Sequence, residues 1–223
     1  MLPLVSVWLS TAQDGGLPAG AGNEEGNHRP LPNITLTLEE DCGTLMLDVS
    51  PIRLLVSDVD GVLTDGTIVY GSENLESKGF NIKDGLGLRL ATWAGLPVAW
   101  LSGRRSDAVT RRAAELGVRL YEGISDKDAG LRAVAVDHGV ALAEIAYVGD
   151  DLNDLPALAL AGLPIAVADA VPEVKTAAAY ITGALGGHGA LREVVELILR
   201  GQGRWDAGMA VYFQHLRGAK AGQ

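Results

Sequence analysis

The 223-residue sequence is short of several things, and each scarcity removes a class of protein. Cys42 is its only cysteine, so neither an intrachain disulfide nor a cysteine-built metal site can form. Basic residues are outnumbered: 18 Lys and Arg face 28 Asp and Glu, a formal charge of −10. That balance argues against a general nucleic-acid binder, which would present a basic face. No apolar run approaches the roughly 20 residues of a membrane-spanning helix, so no membrane partner is expected. The apolar start, Met1-Leu2-Pro3-Leu4-Val5, has no Lys or Arg ahead of it and no convincing cleavage site. A secretory leader is therefore not expected, and a cytoplasmic location is.

What is present describes a globular protein: 48% of residues are apolar and 21% charged, in a length that suits one domain with an appendage. The acidity is concentrated in residues 1–50, where seven Asp and Glu face one Arg. Any site for an anionic ligand must then be local. Residues 10–33 are rich in Gly, Asn, Pro and Glu and read as loop, so 1–50 is expected as a partly flexible extension. Within it, the alternation of Ile34, Leu36 and Leu38 and that of Leu45 and Leu47 fit a short hairpin turning through 40–43. The composition of 10–33 also makes Met46, just ahead of the next strand, a candidate translation start.

From residue 51 strand and helix patterns alternate. Strands are expected at 52–57, 97–101, 118–121, 145–149, 164–167 and 179–182. Helices are expected at 84–95, 106–117, 127–139, 151–162, 171–178 and 188–201, with Ser106 and Asp126 (or Ser125) as caps. Short apolar strands between helices of ten to fifteen residues mean βαβ units and a parallel α/β sheet. The segment 65–82 breaks the pattern and fits a β-hairpin beside the end of the first strand. Residues 51–205 form the expected domain and 206–223 a tail, whose Val211, Tyr212 and Phe213 can dock on their own subunit or on a neighbour.

Candidate chemistry gathers at the strand ends. The strand 52–57 runs into Asp58-Val59-Asp60-Gly61, and carboxylates at i and i+2 point to the same side. Asp58 can attack phosphorus as a nucleophile, and Asp60 can protonate a leaving oxygen and later activate water. Two carboxylates repel a phosphate dianion unless a hard cation intervenes, for which Mg2+ is the natural choice. Ser102 and the backbone N–H groups that follow it, from Gly103 on, can hold phosphate oxygens. Lys127, at a helix start where the dipole disfavours a cation, can bridge nucleophile and phosphate. Asp150, Asp151 and Asp154 crowd the end of strand 145–149, a conflict that a cation resolves. Asp150 is best placed as a direct ligand, with Asp154 behind it through water or a hydrogen bond. Lys83, Gly85 and Gly87 open the helix after the hairpin. The glycines are expected to let backbone approach a ligand, and Lys83 can meet an anionic group. Each piece alone has a plainer reading as a turn, a cap or a solvated charge; only their joint order raises them.

Five stretches together resemble the 3-deoxy-D-manno-octulosonate 8-phosphate phosphatase family of the haloacid dehalogenase superfamily. They are Asp58-Val59-Asp60-Gly61-Val62-Leu63-Thr64-Asp65-Gly66, Phe80-Asn81-Ile82-Lys83-Asp84-Gly85-Leu86-Gly87, Ser102-Gly103-Arg104, Tyr147-Val148-Gly149-Asp150-Asp151-Leu152-Asn153-Asp154 and Gly186-Gly187-His188-Gly189-Ala190-Leu191-Arg192-Glu193. The resemblance implies a capless Rossmann-like fold and a tetramer in which the hairpin takes part. It implies Mg2+ held by Asp58, the Asp60 carbonyl and Asp150, with phosphate on Ser102 and Lys127. Candidate substrate contacts are then Asp60, Gly61, Lys83, Ser102, Gly103, Lys127 and Asn153. His188 stands where relatives often carry Arg, which keeps nine-carbon ulosonic acid phosphates and other small phosphometabolites open as substrates. A non-catalytic oligomerisation module would be free to lose Asp58, Asp60, Lys127 or Asp150, and all four are present.

Overall fold

The computed structural model describes residues 36–38, 45–72 and 75–221. Strands β1 (Leu36–Leu38) and β2 (Leu45–Leu47) pair antiparallel, with Leu36 opposite Leu47. The expected turn at 40–43 lies outside the described residues. The sheet that organises the molecule has six strands: β3 (Leu54–Ser57), β6 (Val98–Ser102), β7 (Arg119–Glu122), β8 (Ile145–Gly149), β9 (Leu163–Ala166) and β10 (Tyr180–Ile181). Its order is β10-β9-β8-β3-β6-β7, and every pairing is parallel. Every residue of β3, β6, β8 and β9 is buried, as expected for strands covered on both faces.

The order locates the ligand site. From β3 the chain moves outward to β6 and β7, then returns across β3 to β8 and continues to β9 and β10. The crevice between the ends of β3 and β8 is therefore the point where the winding reverses, the position at which open α/β sheets bind ligands.

Helices α1 (Ile82–Trp93), α2 (Asp107–Leu116) and α3 (Lys127–His138) link the first half of the sheet. Helices α4 (Leu155–Leu158), α5 (Pro172–Ala177), α6 (Ala190–Gly201) and α7 (Trp205–Ala221) follow. Asp126 caps α3, its side chain accepting from the N–H of Ala129 at 3.1 Å, whereas Ser106 precedes α2 without a side-chain cap bond. The helix expected at 151–162 is a 3-10 turn, Leu152–Asp154, followed by the single-turn α4. Asp154 turns its carboxylate back to the N–H of Asp150, 3.0 Å away, and Pro156 has no N–H to continue a regular ladder. The expected tail is helical as far as Ala221, in α7. Tyr212 stacks on Trp93 of α1 with ring centroids 6.0 Å apart, so the tail packs on its own subunit. No helix among the described residues is long and apolar enough to cross a membrane.

The insert forms a small hairpin of β4 (Val69–Tyr70) and β5 (Glu76–Ser77). Gly85 and Gly87 do not open α1 to a ligand. A Cβ on Gly85 would lie 2.4 Å from the Arg112 side chain, and one on Gly87 2.9 Å from that of Arg192, so these glycines admit neighbouring helices. Asp84, in the first turn of α1, serves another helix: its carboxylate accepts from the N–H of Gly189 (3.2 Å) and of Arg192 (2.8 Å) at the start of α6.

Candidate active site

Three adjacent strand ends deliver the central groups. Asp58 follows β3 and its N–H donates to the Val148 carbonyl at 2.9 Å; Asp150 follows β8; Ser102 ends β6. Lys127 opens α3 and crosses to them with its side chain only 1% exposed. Its ammonium lies 2.8 Å from Asp58 Oδ1 and 3.2 Å from Asp154 Oδ1, and donates to the Leu101 carbonyl at 2.6 Å. These partners explain a lysine at a helix start, because the local charge outweighs the unfavourable dipole.

Asp154 is fully buried and both of its oxygens are engaged. Oδ1 accepts from Lys127 and from the Tyr147 hydroxyl at 2.7 Å, and Oδ2 accepts from the Asp150 N–H. Tyr147 gave no functional signal in sequence beyond the rule that a buried Tyr hydroxyl needs a partner.

Carboxylate oxygens of Asp58, Asp150 and Asp154 lie within 4.8 Å of one another. One ammonium does not neutralise three carboxylates. Burial, then the charge of Asp154, push the Asp58 carboxyl up to about 6 against the opposing pull of Lys127. Burial and the charges of Asp154, Asp58 and Asp151 push Asp150 up to about 8. Asp150 Oδ1 is buried without a hydrogen-bond partner. With Asp154 saturated by protein donors, the free ligand atoms are those of Asp58 and Asp150. This is the donor set of a hard divalent cation. Gly61 makes the cradle possible, since a Cβ there would sit 2.0 Å from Asp150 Oδ2, and its φ of +92° suits glycine. Gly186 seals the same loop from outside, where a Cβ would meet the Gly61 carbonyl at 1.8 Å.

Asp60 faces a different set of groups. The Lys78 ammonium donates to its Oδ1, and Arg104 Nε lies 4.0 Å from its Oδ2. Glu76 joins the two cations, with Oε1 at 3.5 Å from Lys78 and Oε2 at 3.3 Å from Arg104. Neither Lys78 nor Glu76 stood out in sequence, because a charged residue in a polar hairpin is ordinarily solvated. Ser102 is buried and its Oγ takes the N–H of Arg104 at 3.2 Å. Gly103 is exposed beside it. Lys83 and Asn153 are exposed, and neither is drawn into the buried charge cluster. A cleft of about 420 Å3 lies between the hairpin and the Gly187–His188 loop, lined also by Asp65, Thr67, Phe80 and Asn81.

A carboxylate cluster at the reversal point of a parallel sheet, held by a buried lysine and suited to a hard cation, fits a metal-assisted hydrolase. Residues 107–192 match the model of the haloacid dehalogenase-like hydrolase family. The chain is 44% identical over 163 residues to the 3-deoxy-D-manno-octulosonate 8-phosphate phosphatase of Salmonella typhi, covering 73% of this chain and 87% of the relative. It superposes with a TM-score of 0.71 on the phosphatase of that name from Moraxella catarrhalis, solved with magnesium, phosphate and the sugar acid KDO. That pair is 42% identical over 74% of this chain and 95% of the other. The cobalt-bound enzyme of Haemophilus influenzae gives a TM-score of 0.69 at 40% identity, covering 71% and 93%. The chain belongs to the 3-deoxy-D-manno-octulosonate 8-phosphate phosphatase family within the haloacid dehalogenase-like hydrolases, and it is a phosphatase.

Proposed function

We propose that the protein hydrolyses a phosphorylated 2-keto-3-deoxy sugar acid of the 3-deoxy-D-manno-octulosonate 8-phosphate type, with Mg2+ held by Asp58, the Asp60 carbonyl and Asp150. The observation that carries this reading is the convergence of Asp58 and Asp150, with an unpartnered buried oxygen on Asp150 and Lys127 on Asp58. The cation, when bound, offsets carboxylate–phosphate repulsion and polarises the phosphoryl group.

The residues divide the work. Asp58 attacks phosphorus, the bond to the sugar oxygen breaks, and Asp60 gives that oxygen a proton, leaving an aspartyl-phosphate. Water then attacks this phosphorus and passes a proton to Asp60; phosphate leaves and Asp58 is restored. Lys127 orients Asp58 and shares the phosphoryl charge, with Ser102 and the backbone N–H groups of Gly61 and Gly103 on its oxygens. Asp154 acts behind the ligands, holding Lys127 and the Asp150 backbone. Lys83 and Asn153 are the proposed outer contacts, and the cleft beside His188 takes the sugar.

Residues 51–205 are assigned the catalytic unit. The hairpin is assigned a role in a homotetramer, supported by exposed Val69 (56%), Tyr70 (70%) and Leu75 (62%). Sedimentation at working concentration tests that assembly, and a monomer refutes it. The reaction is proposed to run in the cytoplasm, in keeping with a single cysteine.

The deciding experiment is phosphate release from a panel of eight- and nine-carbon ulosonic acid phosphates, with Mg2+ and with EDTA. The octulosonate 8-phosphate is expected to give the highest kcat/KM, and Asp58→Asn to abolish release. Preference for a nine-carbon substrate overturns the substrate assignment, and full activity in EDTA or in Asp58→Asn overturns the mechanism.

A further inference from the structure

The Lys78 side chain has no exposed surface, although it belongs to a short surface hairpin. Burying an ammonium is strongly unfavourable unless it is paired. Its partners are two carboxylates, Asp60 and Glu76, and Glu76 also binds Arg104, which reaches back toward Asp60. The four groups form a closed ring of alternating charge, neutral while Asp60 is ionised, with the Asp60 carboxylate at one corner. The two contacts on Asp60 are unequal. Lys78 is buried and in hydrogen-bonding contact with Oδ1, whereas the Arg104 side chain is 46% exposed and its Nε is 4.0 Å from Oδ2.

We propose that Lys78 is a positioning residue for the leaving-group proton. Its ammonium occupies Oδ1 of Asp60, which leaves Oδ2 as the oxygen that serves the sugar, and Glu76 keeps the ammonium in place. An ammonium can only donate, so Lys78 engages Oδ1 as an acceptor and Oδ2, with only the long Arg104 contact, is the oxygen left to exchange a proton with the substrate. The long Arg104 contact opens to let Oδ2 meet the sugar oxygen. As Asp58 bonds to phosphorus, the phosphorus–oxygen electron pair stays with the sugar oxygen, which takes the Oδ2 proton. This rests on the reading of Asp60 as acid and base. The same ring ties the hairpin to the catalytic loop, so a change in the hairpin is felt at the proton donor.

The test compares kcat/KM, which covers the steps up to the aspartyl-phosphate, for three substrates. The octulosonate 8-phosphate and glycerol 3-phosphate release an alkoxide that needs a proton, whereas p-nitrophenyl phosphate releases a stable phenolate. General acid catalysis contributes roughly 10²–10⁴-fold, so a displaced donor should cost about 10–100-fold on both alkyl phosphates. The loss on p-nitrophenyl phosphate should stay below about threefold, because that leaving group needs little protonation. Lys78→Met should show this pattern, Lys78→Arg should restore activity, and Glu76→Gln should show a weaker form of it. Glu76→Gln carries the test if Lys78→Met does not fold. A loss confined to the octulosonate would mean that Lys78 reads the sugar acid. Equal losses on all three substrates, or none, would mean that it only shapes the site. Each of those results overturns the inference. Asp60→Asn is measured alongside. If it spares p-nitrophenyl phosphate and the Lys78 variants do not, the inference alone fails; if it shows no dependence on the leaving group, the role of Asp60 fails first.

Discussion

Replacing Lys127 by Met tests the buried charge cluster most directly. Met nearly matches its length and removes only the ammonium and its hydrogen bonds. The wild-type ammonium lies 2.8 Å from Asp58, 3.2 Å from Asp154, 2.6 Å from the Leu101 carbonyl and 3.3 Å from the Tyr147 hydroxyl, with 1% of the side chain exposed. Water cannot take its place, so two carboxylates lose their cation in a dry environment. Breaking a buried pair by removing one partner costs about 3–5 kcal/mol. At ~2–4 °C per kcal/mol for a chain of this size, melting should fall by roughly 6–20 °C. The loss should depend on pH. Burial and Asp154 already hold the Asp58 carboxyl at about 6, above its unfolded value, with Lys127 pulling it down. Without Lys127 the folded state binds still more protons than the unfolded chain. Stability of the variant then goes on falling as pH rises past about 6, where the contribution of Asp58 in wild type levels off. The defect should be smaller at pH 5 than at pH 8. Urea melts at the two pH values in EDTA measure it, and Lys127→Met/Asp154→Asn should recover about 1 kcal/mol or more. A variant within 1 kcal/mol of wild type at pH 8, with an unchanged pH slope, would refute the account of the cluster.

Other expectations follow from the same geometry. In the metal-free protein the raised Asp58 and Asp150 carboxyls bind protons that the unfolded chain releases above about 4. Stability is therefore lost as pH rises through about 6 and about 8, and a bound cation restores it. The rise in melting temperature on adding Mg2+ should accordingly grow from pH 5 to pH 8, as differential scanning fluorimetry would record; a constant shift argues against these carboxylates as ligands. Gly61→Ala places a methyl 2.0 Å from Asp150 Oδ2 and should weaken Mg2+ binding by about 10–100-fold, read by titration calorimetry. Asp84→Ala leaves the N–H groups of Gly189 and Arg192 without their acceptor at a position 1% exposed. It should cost about 1–3 kcal/mol in urea unfolding.

The sequence by itself determined the parallel α/β class, the order of its elements and the strand ends that carry Asp58, Ser102 and Asp150. These follow from local signals: short apolar runs, helix caps, and carboxylates crowded where a buried strand stops. Lys127 was legible as an anomaly, a cation at the wrong end of a helix. Only the tertiary structure decided which groups meet. Asp154 and Tyr147 close on Lys127 because the residues after β8 fold into a tight 3-10 turn instead of the longer helix that their composition favours. Asp84 caps a helix a hundred residues away, and Gly85 and Gly87 serve helix packing, since a local pattern cannot say what will press on it. Lys78 and Glu76 were indistinguishable from solvated hairpin charges until the fold laid them over Asp60. The strength of a charge depends on burial and on partners distant in the chain. Periodicity and spacing report neither.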